Sequence, residues 1–222
     1  MYFMNKFKQH HPILMIAFVN LAMIIGVWRE HWSAFLIIYG FWLETFIISF
    51  FSSIKILFAS GEHQKPPHIW LAIKYLLFRI AVLGFYLLFI VVFIGFMNTP
   101  KETLPIIMQS VSFKDNMFNT VIIGFVLSCV LDVLFKYWLN GLQMTKPPTY
   151  FFSFIDARTL IIHVVVVLGT FVFILAEKHF PENKTYMGTA GFLTLFILIK
   201  TIGDITTYKL NSATSEVDSK FI

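Results

Sequence analysis

Cysteine is nearly absent from this chain: Cys129 is the only one in 222 residues, and it lies inside an apolar run. Disulfide frameworks and thiolate metal clusters are thereby excluded. Charge is also scarce, at 13% Asp, Glu, Lys and Arg, about half the share usual in soluble domains. No polar stretch is long enough for a soluble domain; the longest without an apolar span run over 98–116 and 140–157. The sequence pI of about 9.3 thus has no basic soluble face behind it, and no nucleic-acid partner is expected.

Signatures of catalysis are missing too. No H-E-x-x-H or H-x-x-x-H pair occurs, and a single histidine, His163, falls inside an apolar run, whereas catalytic zinc usually takes several His, Cys or carboxylate ligands. Ser128 stands one helical turn from Asp132, but no G-x-S-x-G surrounds it, so a nucleophilic hydrolase lacks its usual frame. No cofactor or metal is expected from the residues.

What the chain has is apolar length. It is 58% hydrophobic with 27 phenylalanines, and its mean hydropathy is +0.77. A bilayer core of about 30 Å is crossed by roughly 20 apolar residues in a helix. Six such windows lie between polar or Pro-rich breaks, at about 12–28, 32–58, 69–97, 117–139, 158–180 and 186–208. The expected fold is all-α, a polytopic membrane protein with the lipid bilayer as its partner, built as one domain over 1–210. The polar 211–222, without periodicity, reads as a disordered tail. Only Arg29, Glu30 and His31 separate the first two windows, which calls for a tight helical hairpin. The stretch "TLPIIMQSVSF", 103–113, suits a short interfacial helix. Lys6 and Lys8 precede the first run as in a signal sequence, but no A-x-A-like cleavage site follows, so the run reads as retained.

Lys and Arg accumulate on the cytoplasmic side of membrane proteins. With six spans both termini share a side. That side holds Lys6, Lys8, Lys55, Lys65, Lys74, Lys136, Lys146, Arg158, Lys209 and Lys220, ten residues against five on the other (Arg29, Lys101, Lys114, Lys178 and Lys184). Both termini are therefore expected in the cytoplasm of a multi-pass cell-membrane protein. Lys-Pro-Pro occurs in both longer cytoplasmic loops, at 65–67 and 146–148, each preceded ten positions earlier by a lysine, Lys55 and Lys136. Two readings stand: a duplicated helix pair, as in parallel-repeat transporters, or two hairpins obeying the same rules for Lys at helix ends and Pro at helix breaks.

A charge near the bilayer centre costs at least about 2.5–3.5 kcal/mol on insertion scales, so each one inside a span asks for a partner or a role. Glu44, Arg79, Asp132, His163, Lys200 and Asp204 are such residues. At a rise of about 1.5 Å per residue, Glu44 lies about 16 Å inside Lys55 and Lys200 about 13 Å inside Lys209. Arg79, Asp132, His163 and Asp204 lie about 6–8 Å from their flanking basic residues by the same arithmetic. Ser128, Asp132 and Lys136 share one helix face, as do Lys200 and Asp204; Asp156, His163, Thr170 and Glu177 recur at sevens. Each member also has a plain reading. Arg79 has a stem long enough to reach the headgroups, Asp132 and Asp204 pair with Lys136, Lys200 or Arg79 to fix packing, and His163 serves as a hydrogen-bonded packing residue. Glu44 either keeps its proton, because low dielectric disfavours the charged form, or pairs with Lys200.

These groups suit a small transporter or a proton- or ion-conducting protein in which Glu44 and Lys200 form the central pair and His163 with Asp204 the cytoplasmic-side exit. They equally suit a structural or regulatory subunit in which the polar layer only locks helices together. Substrate and oligomeric state are not written in the residues.

The stretches "WLE" at 42–44, "DARTLIIH" at 156–163 and "LIKTIGD" at 198–204 resemble an uncharacterised family of small prokaryotic integral membrane proteins, a domain of unknown function. The resemblance implies a similar membrane fold with no established activity. It groups Glu44, Arg158, His163, Lys200 and Asp204 as the polar signature.

Overall fold

Apolar runs without internal breaks wind into helices that close at caps. Helix α1, Tyr2–Arg29, begins ten residues before the apolar window at Pro12 and ends at a turn in which the amides of Glu30 and Trp32 both donate to the Gly26 carbonyl. His31 takes a positive φ there. Ser33 caps α2, Ala34–Phe58, by accepting from the Leu36 amide. Helix α3 is Ile69–Met97; α4 is Pro100–Val111; α5 is Asn116–Asp132, capped by Asp115. From Val133 to Leu139 the chain continues as a π-helix, followed by the short α6, Leu142–Thr145, and a 3-10 turn, Pro148–Phe151.

This computed structural model describes residues 2–61, 67–97, 100–152, 193–194 and 196–206; the last two stretches are helical. Among the described residues there is no strand. The windows expected at 69–97 and 117–139 coincide with α3 and with α5 plus its π extension, and α4 lies where a short interfacial helix was expected. Among the described residues, three helices are long and apolar enough to cross a membrane, over Phe35–Phe58, Ile69–Val92 and Asn116–Leu139, while α1 contributes a shorter apolar helix, Ile16–Arg29. The expected span at 158–180 and the tail at 211–222 lie outside the described residues.

The chain divides into two compact units. Unit one takes Met1–Trp32 and Ala157–Ile222; unit two is Ser33–Asp156. In unit one, α1 is tied to the helical residues at 193–194 by the Trp28 indole, which donates to the Thr194 hydroxyl at 2.9 Å. Val19, Met23 and Val27 of α1 and Leu193, Phe196 and Ile197 are all buried.

In unit two, α2 is the central element. Phe35, Tyr39, Trp42 and Phe46 recur at three or four residues and stack along one face, with ring centroids 5.7–5.8 Å apart. That ladder touches α5 through Tyr39 and Phe118 and α3 through the Trp42 indole, which donates to the Leu83 carbonyl at 2.7 Å. The α2–α3 contacts run antiparallel, from Trp42 with Leu83 to Leu57 with His68. The α2–α5 contacts run parallel, from Tyr39 with Phe118 to Lys55 with Asp132. The three apolar helices of this unit therefore alternate in direction, as successive membrane crossings do.

Exposure is inverted relative to a water-soluble domain. Leu77, Phe85, Leu88, Ile123 and Leu127 point outward, while Glu44, Thr45, Ser49 and Arg79 are buried. An apolar exterior this continuous is costly in water and favourable in hydrocarbon.

Candidate functional site

Among the described residues, three polar clusters interrupt the apolar packing. The first lies in unit two between α2 and α3. The Arg79 side chain is 1% exposed, so it is enclosed by protein instead of reaching outward. Its Nε donates to the Ser49 hydroxyl at 2.9 Å. Ser49 in turn donates to the Thr45 carbonyl at 2.8 Å, and Thr45 to the Phe41 carbonyl at 2.9 Å. Because a hydroxyl has one proton to give and lone pairs to receive, Ser49 serves the guanidinium and its own helix together. Glu44 is buried on α2, between the positions that bond Leu83 and Arg79.

The second cluster lies near the far end of α2. Asp132 is gripped by Lys55 at 2.5 Å and by Lys136 at 3.3 Å, all three half-buried. The Tyr137 hydroxyl donates to the Lys55 carbonyl at 2.6 Å. Lys136 and Tyr137 both lie on the π-helical turn, a rare winding that often marks functional positions. Lys55 and Lys136, the lysines that precede the two Lys-Pro-Pro runs, thus meet on one carboxylate.

The third cluster belongs to unit one. Lys200 donates to Asp204 at 2.6 Å, one turn away on the same helix, and reaches Asn20 of α1 at 3.4 Å. Asp204 is 1% exposed and Lys200 is also buried. An ion pair so enclosed forfeits hydration and is kept only by close geometry.

Of the residues singled out by sequence, Lys200 and Asp204 are brought together, and Asp132 takes Lys136 as one of its partners. Glu44 belongs to unit two and Lys200 to unit one. Arg158 and His163 lie outside the described residues. Sequence reasoning missed four participants: Asn20, Ser49, Lys55 as a partner of Asp132, and Tyr137. The first two carried a signal, a carboxamide within an apolar run and a Thr45, Ser49, Ser53 series at intervals of four, which a search limited to titratable residues passes over. Among the described residues, no three of His, Cys, Asp and Glu gather as a metal site requires.

Against this geometry stand the comparisons with known proteins. The chain belongs to a family of unknown function, DUF6498, whose model matches residues 3–220. No curated protein and no solved structure matches it significantly.

Proposed function

We propose, taking membership of a family without an assigned activity as the starting point, that this chain is a multi-pass cell-membrane protein that conducts protons or small ions. In this reading all six apolar windows cross the bilayer and both termini are cytoplasmic. The observation that supports it is the burial of Glu44, Arg79, Lys200 and Asp204 inside helices whose outer faces are apolar. Intramembrane ionisable groups are expensive and commonly mark ion or proton pathways. Glu44 is the proposed carrier, alternately protonated and ionised. Arg79 supplies a fixed positive charge in the same unit, and Lys200 with Asp204 forms the charged station of unit one. Arg158 and His163 belong to the proposed polar set on sequence grounds.

The test is flux in proteoliposomes under an imposed pH gradient. Glu44→Gln keeps shape and hydrogen bonding while removing the exchangeable proton, and is expected to abolish flux with little change in unfolding temperature. Equal rates for this variant and the wild-type protein would remove the carrier role.

A second reading, a structural or regulatory membrane subunit, draws on the Lys55, Asp132, Lys136 cluster. There Lys55 joins α2 to Asp132 of α5, and Lys136 is a second partner of that carboxylate one turn on. Substitutions at Glu44 and Lys200 that lower stability without changing flux would favour it.

A further inference from the structure

The two Lys-Pro-Pro runs take no part in the conduction reading, yet in unit two their surroundings converge. Gly61, at φ +52, presents a backbone on which a Cβ would stand 3.1 Å from Pro147 Cα. The Ser60 amide and hydroxyl both donate to the Gln143 carbonyl, at 2.8 and 2.9 Å. Beneath this junction Ile56, Ala72 and Tyr75 form a buried cluster against Phe151 and Phe152. Residues 60–61 and 143–147 thus meet above a packed base.

The surface around that base has a definite chemistry. Trp70, Trp138 and Tyr150 are 77%, 50% and 48% exposed. Ile69 and Leu139, next to Trp70 and Trp138 in the chain, are exposed too, continuing the apolar exterior of α3 and of the π extension of α5 to the helix ends. Lys146 Nζ stands 5.0 Å from the centre of the Tyr150 ring, and Lys74 is exposed on the first turns of α3. The sequence over 50–75 and 130–152 carries five lysines, Lys55, Lys65, Lys74, Lys136 and Lys146, and two carboxylates, Glu62 and Asp132. Exposed Trp and Tyr rings at the end of an apolar helix seat at the headgroup level, and lysines at that level attract anionic headgroups.

We propose that this end of unit two is a platform for the phosphate headgroups of anionic phospholipids. Lys74 and Lys146 provide the charge, and Trp70, Trp138 and Tyr150 the interfacial seat. An acidic soluble partner is a poorer fit, because the lysines border a surface that is apolar and continuous with the lipid-facing helices.

The experiment is native mass spectrometry of the purified full chain, released from nanodiscs that mix phosphatidylglycerol with phosphatidylcholine. Wild-type protein is expected to retain phosphatidylglycerol preferentially. Lys74→Gln is expected to reduce that preference about fivefold, and Lys74→Gln with Lys146→Gln about 25-fold, since each lysine near a charged surface contributes about equally. Lys146→Arg keeps the preference. Lys114→Gln, an exposed change at the other end of α5, also leaves it intact. Indiscriminate lipid retention by the wild-type protein, or an equal loss in Lys114→Gln, overturns the proposal. Should Lys146→Gln fail to fold, the exposed Lys74→Gln decides alone: an unchanged preference overturns the proposal.

Discussion

Removing one partner of the Lys200 and Asp204 pair while keeping the other is the sharpest perturbation available. Both side chains are buried, and Lys200 Nζ lies 2.6 Å from Asp204 Oδ2. In Asp204→Ala the ammonium keeps Asn20 Oδ1 at 3.4 Å, long against the usual 2.7–3.2 Å and neutral. Removing one partner of a buried ion pair in this way costs about 3–5 kcal/mol, and Lys200→Met is expected to cost a similar amount. The double variant Lys200→Met with Asp204→Leu fills the space with apolar groups and removes both desolvation costs, so it is expected to be at least as stable as wild type. The coupling in this cycle is then several kcal/mol, well above the roughly 0.5 kcal/mol within which independent sites add. Equilibrium unfolding in mixed micelles, followed by tryptophan fluorescence, measures it, and Trp28 reports locally because its indole bonds Thr194 across the same two helices. An Asp204→Ala protein within about 0.5 kcal/mol of wild type, or a double variant weaker than both singles, refutes the reasoning. The same double variant separates stability from function, since the conduction reading expects it to fold and to lose flux.

Two further outcomes follow from contacts away from that pair. Gly26→Ala places a Cβ 2.5 Å from the buried Trp32 ring, and overpacking of this kind costs about 1–3 kcal/mol; a thermal melt unchanged from wild type would show that the turn yields freely. Tyr137→Phe deletes the hydroxyl that donates to the Lys55 carbonyl at 2.6 Å and is expected to cost about 0.5–1.5 kcal/mol, measured by the same micelle titration, with no loss indicating that the π turn holds without this bond.

Much of the helical layout was legible in the residues because it depends on local chemistry. The run at 69–97 becomes one helix over the same residues, and 117–139 becomes α5 with its π extension, because uninterrupted apolar length between polar breaks leaves the backbone only itself to bond. The pairing of Lys200 with Asp204 was legible for the same reason, since a spacing of four places both on one helix face. Lys55 illustrates the opposite case. In the sequence it served to mark a membrane boundary and to precede a Lys-Pro-Pro run, yet it lies 77 positions from its partner Asp132, and no local periodicity relates the two.

The sequence by itself determined the apolar helices at 69–97 and 117–139 and the presence of charges within apolar runs, since each is a property of neighbouring residues and the helix repeat. Tertiary structure alone decided that Arg79 is held by Ser49, that Asn20 stands by Lys200, and that the surroundings of two Lys-Pro-Pro runs meet at one end of a unit. The physical reason is that a side chain's partner depends on the register and direction in which whole helices pack. That register is settled by many apolar contacts acting together, with no short stretch of chain encoding it.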